Sequence, residues 1–160
     1  MVGWSRGHTV TKRAGNRRSA LFLLAAGGVS LGAFAVPLLV SPLKWAKRLR
    51  WQVPEDTDLA VYLGRSLGAV AVALSLGALW AARDPWRYRV VFQMAAVAAA
   101  LLAGVHVRGA IERKQPWTET AEIPFWAAMA IGAIACYPQE PEEEAPRTSA
   151  TRLDVARCRL

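Results

Sequence analysis

Leu59-Ala-Val-Tyr-Leu-Gly-Arg65-Ser-Leu-Gly68, continuing through Ala-Val-Ala-Val-Ala-Leu-Ser-Leu to Trp80 and ending at Arg83-Asp-Pro85, is the stretch that decides the fold. Residues 59–82 hold a single charge, Arg65, in 24 positions. As a helix this run spans roughly 36 Å at 1.5 Å per residue, enough to cross a bilayer. Arg65 then sits about 9 Å from one end, where a cation costs a few kcal/mol or more without a partner or a route to the interface. The other apolar runs and joints are read against what that arginine meets.

Hydrophobic residues make up 54% of the 160-residue chain and fall into four runs separated by charged or Pro-rich joints. A soluble core is not written this way. The formal charge of +8 raises the question of nucleic acid. Here, however, Lys and Arg flank the apolar runs, form no stripe of their own and belong to no nucleic-acid motif, so they point to a bilayer. Cys136 and Cys158 form no CxxC and no His/Cys cluster, so neither a disulfide nor a cysteine metal framework is expected, and no metal site is assigned.

Residues 1–18 are basic, with Arg6, Lys12, Arg13, Arg17 and Arg18, and read as a flexible tail near anionic headgroups. Residues 19–43 carry no charge and are long enough to span, with Pro37 tolerated near the far end. A rival reading takes the basic start, the apolar run and Ala33-Phe-Ala35 as a cleavable signal; the length of the run and the spans that follow oppose it. In the joint 41–58, Trp45 and Trp51 among basic residues suit a short interfacial helix or turn, and Thr57 or Asp58 is the expected N-cap of the next helix. The turn at 83–89 is rich in Arg, Trp and Tyr, and the third run, 90–107, has His106 near its end. Residues 123–137 are short for a span, so the fourth helix must begin near Thr120 and draw Glu122 toward the apolar zone. Residues 139–160 are acidic, then mixed, and read as disordered.

The expected fold is all-α: an integral membrane four-helix antiparallel bundle with helices at about 19–41, 58–83, 88–112 and 120–138. Lys and Arg number five in the N-terminal stretch, three at 83–89 and four in the C-terminal stretch, twelve on one side. The joints at 41–58 and 108–122 carry four and three, seven on the other. The positive-inside rule therefore places both termini in the cytoplasm.

This topology brings Arg65, His106, Glu119, Glu122, Tyr62 and Asp58 to one depth, just beneath the outer surface. Glu119 and Glu122 share a helix face at i, i+3, and Asp58, Tyr62 and Arg65 share another at i, i+4, i+7. Such a cluster serves either as a polar pocket for a proton, quinone or small ligand, or as an Arg–Glu pair with a histidine hydrogen bond that sets helix register. Gly28-x-x-x-Gly32 and Gly64-x-x-x-Gly68, with Gly132 following Ala128, are the spacings that let membrane helices approach closely.

Enzyme templates are missing: there is no H-E-x-x-H, no G-x-S-x-G and no phosphate-binding G-x-x-x-x-G-K-[ST]. His8 and His106 are the two histidines, and a single interior histidine cannot supply the paired axial ligands of a membrane haem.

Through Tyr62-Leu-Gly-Arg65, His106 and Gln115-Pro-Trp-Thr-Glu119-Thr-Ala-Glu122-Ile-Pro124, the chain resembles the small bacterial four-helix membrane proteins of the DoxX-like kind, over about residues 19–138. The resemblance implies an inner-membrane bundle, with Arg65, His106, Glu119 and Glu122 as the matching polar positions and no catalytic role attached to them. It also implies an association of some members with quinone-linked redox complexes. The expectation is thus a non-enzymatic accessory or structural subunit of a bacterial inner membrane, in contact with lipid and with a homodimer mate or another membrane protein. A quinone- or redox-linked subunit and a small proton-coupled transporter acting as a dimer are the alternatives. No bound cofactor other than a quinone is suggested.

Overall fold

The computed structural model describes residues 6–140, with side chains from residue 16 onward. The expected disordered C-terminal stretch beyond 140, and Cys158 with it, lie outside the described residues. Among the described residues there are helices and no strand.

Helix α1 (Arg6–Val29) runs into a π-helical turn (Ser30–Ala35) and then α2 (Val36–Val40). The basic segment expected as a flexible tail is helical from Arg6. It carries no proline, and its Arg and Lys residues are good helix formers, so nothing stops the helix before the apolar run. Pro37 accounts for the irregularity farther on. It has no N–H to donate to Ala33 O four residues back, and that carbonyl accepts instead from Trp45 Nε1 at 3.1 Å. Trp45 lies on α3 (Pro42–Arg48), where a short helix or turn was expected in the first joint, so one hydrogen bond both repairs the proline defect and holds α3 against the first span.

Helix α4 (Asp58–Ala81) begins after Thr57, one of the two expected cap residues, although no side-chain capping bond forms there. Helix α5 (Val90–Ile111) follows the turn at 83–89. In that turn Arg83 lies 4.2 Å over the Trp80 ring and Arg89 4.5 Å over Trp86, a basic-aromatic rim suited to the headgroup level. Three helices, Asn16–Val40, Asp58–Ala81 and Val90–Ile111, are long and apolar enough to cross a membrane. Leu59, Leu63, Leu67, Val97, Leu101 and Val105 are exposed on their outer surfaces, as lipid-facing residues are.

The fourth helix differs from the continuous 120–138 span expected. A one-turn helix α6 (Trp117–Thr120) is followed by a turn at Ala121–Glu122 and then α7 (Ile123–Ala135), 13 residues long. Pro124, at the second position of α7, cannot donate to Thr120 O, so the helix restarts there.

Two helix pairs make up the fold: the first span packs along α4, and α5 packs along α7. The first span also meets α7 through side chains, from Ser19 Oγ donating to Cys136 O at 2.7 Å to Phe34 stacked on Phe125 at 6.1 Å. The first span and α7 are therefore antiparallel. Leu23, Ala81 and Phe92 form the buried centre where the pairs meet, with Phe22 stacked 5.9 Å from Phe92.

Glycines set the closest approaches. A Cβ on Gly64 would stand 2.6 Å from Pro42 Cβ, and one on Gly68 would stand 2.6 Å from Leu39 Cα, so α4 backs directly onto the α2–α3 corner. Gly132 meets the Phe22 ring. Gly28 and Gly32 do not join them: a Cβ at either meets no atom within 4 Å, which corrects their expected packing role. The first span uses Gly27 instead, one residue away, facing Leu79 and Ser75 O.

Candidate functional site

His106 lies near the C-terminal end of α5, and two groups flank its ring. Nδ1 is 2.7 Å from Leu102 O, one turn back on the same helix; a carbonyl only accepts, so Nδ1 carries a proton and donates. Nε2 lies 3.0 Å from Glu119 Oε2 and 3.7 Å from Glu122 Oε2. His106 and Glu119 are each 8% exposed, and Glu122 is partly buried.

Loop chemistry brings the two glutamates to the histidine. Gln115, in the turn after α5, donates to His106 O at 2.9 Å and to Thr120 Oγ1 at 3.1 Å, folding α6 back over the helix end. Thr118 Oγ1 donates to Leu49 O, tying α6 to the first joint. Trp51, from that same joint, donates through Nε1 to Glu119 Oε1 at 2.8 Å, so each oxygen of Glu119 has a partner. Glu122 accepts from Trp126 Nε1 at 3.2 Å. Beneath the cluster, the Trp126 ring lies 6.2 Å from the His106 ring and 5.7 Å from Phe34, an aromatic floor contributed by α7 and the first span. Among the described residues no buried side-chain polar atom lacks a hydrogen-bond partner.

Of the residues singled out in the sequence, the structure brings His106, Glu119 and Glu122 together. Arg65, Tyr62 and Asp58 stand apart. They line an open furrow on the exposed side of α4 with Val61, Ser66 and Ala69. Among the described residues no carboxylate lies within ion-pair distance of Arg65. The expected convergence of Arg65 with the two glutamates, and the Arg–Glu pair it offered, is therefore corrected, and helix rotation is the reason. Gly64 and Gly68 must face the first span, and Arg65 is turned about 100° from Gly64 around the axis, away from α5 and α7.

Trp51, Gln115, Thr118 and Trp126 complete the cluster, and no motif marks them. Trp51 and Glu119 are 68 residues apart and meet only because both joints fold over the same end. Farther out, Glu112 bridges Arg108 at 2.8 Å and Lys114 at 3.0 Å, and these two cations hold its carboxyl below the usual range.

No family model, curated protein or solved structure matches the chain.

Proposed function

We propose that the chain is a small multi-pass protein of a bacterial inner membrane, with both termini cytoplasmic, that serves as a non-enzymatic structural or accessory subunit. In this reading the His106–Glu119–Glu122 cluster fastens the outer ends of its helices. α7, begun by the α6 turn, completes a DoxX-like four-helix bundle. One observation carries the proposal: the cluster draws on the first joint, the end of α5, α6 and the start of α7, and its hydrogen bonds are made to the protein itself. Groups engaged in this way hold segments together. A reporter fused to the C-terminus tests the topology: cytoplasmic activity is expected, and a signal from the opposite side would overturn it.

A second reading, a quinone- or redox-linked subunit, is supported by the furrow on α4. There Arg65 and Tyr62 offer a cation and a phenol to a head group arriving from the lipid. The same face would serve a homodimer mate or another membrane protein, as a proton-coupled dimer requires. Membranes carrying Arg65→Leu with Tyr62→Phe would lose quinone-dependent electron transfer if this reading holds; unchanged transfer would remove it.

A further inference from the structure

We propose that His106, Glu119 and Glu122 form a binding site for a divalent transition-metal ion of the zinc type. The proposal deepens the fastener reading and rests on it. The three residues offer one nitrogen and two carboxylate oxygens that all lie within 4.8 Å of one another. Around an ion with bonds of about 2.0–2.2 Å, such donors stand roughly 3.4 Å apart. The cluster therefore needs a contraction on the order of 1 Å, and Glu122, the most exposed of the three, has the freedom to make it.

Protonation of the ring makes this more than a collection of acidic groups. Nδ1–H is committed to Leu102 O, so the nitrogen that faces the two carboxylates is Nε2. Neutral imidazole presents a lone pair there, and three acceptors then converge with no positive charge between them. A divalent ion neutralises both carboxylates and accepts the lone pair, leaving the site uncharged in surroundings of low dielectric.

The surrounding bonds are those a metal site uses. A ligating histidine commonly donates its other ring N–H to a carbonyl, and ligating carboxylates are themselves hydrogen-bonded. Leu102 O, Trp51 Nε1 and Trp126 Nε1 stand in those places. One histidine and two carboxylates suit zinc and its first-row neighbours better than calcium, which takes oxygen ligands in larger number.

The test uses the full chain, stripped of metal with a chelator and held in mild detergent, titrated with zinc and separately with cobalt(II) as a spectroscopic probe. The expected result is one tightly bound zinc per chain, a raised unfolding temperature and visible cobalt bands of a low-coordinate site. Glu122→Gln, which removes no bond between His106 and Glu119, should weaken zinc at least tenfold. His8→Ala should bind as the wild type does. Equal zinc affinity in the wild type and Glu122→Gln would overturn the proposal, as would a folded wild type that takes up no stoichiometric zinc. The fastener reading is judged separately, on metal-free protein. If His106→Leu unfolds early there while zinc fails to bind, the fastener stands and the metal falls; if His106→Leu melts with the wild type, the fastener itself fails.

Discussion

At the scale of single residues, the cluster is governed by how few choices its hydrogen bonds leave. His106 cannot turn its ring without losing Leu102 O, and Glu119 is held at both oxygens. Trp51→Phe keeps the ring and removes the donor to Glu119 Oε1. A bond to a charged, buried acceptor is worth about 1.5–3 kcal/mol, so a loss of that size in detergent unfolding is expected. A change within 0.5 kcal/mol would mean that the Trp51–Glu119 bond does not hold the joint. Arg65 should behave in the opposite way. It is exposed on α4 and makes no ion pair among the described residues, so Arg65→Leu should leave stability unchanged or raise it. A large loss would restore the internal pair expected from the sequence.

At the scale of elements, packing follows small residues and proline. Gly68→Ala places a methyl group against Leu39, and overpacking of this kind costs about 1–3 kcal/mol. Gly28→Ala meets open space and replaces a poor helix former with the best one, so it should be neutral or stabilising by up to about 1 kcal/mol. Parallel melting curves of the two variants check the contrast, and similar losses would contradict the α2–α4 contact. The three long helices were legible in the sequence because apolar length and flanking charge are one-dimensional signals. Which G-x-x-x-G pair packs was not, since Gly28-x-x-x-Gly32 and Gly64-x-x-x-Gly68 read alike until a neighbouring backbone is in place. The break before α7 could have been read from Pro124, whose missing N–H forbids the continuous helix expected from Thr120.

At the scale of the whole molecule, depth and azimuth separate what the sequence reveals from what it hides. The order of spans puts Arg65, His106, Glu119 and Glu122 at one end, and this much follows from counting residues. Rotation about each axis is set by tertiary contacts, so Arg65 faces outward while the other three converge. Trp51 shows the same limit, because no local pattern announces a contact across 68 residues. What results is a fold whose helices are brought close by small residues and in which one polar cluster joins four segments at a single end.

The most direct test of that account is a double-mutant cycle on His106→Leu and Glu119→Gln, read by thermal unfolding of metal-free protein in detergent. His106→Leu leaves the two carboxylates facing each other with only their tryptophan donors, and breaking a buried pair from one side costs about 3–5 kcal/mol. The double variant removes one of those charges, so it should be more stable than His106→Leu alone. Additive losses, with the double variant the least stable of the set, would contradict the claim that this cluster fastens the fold.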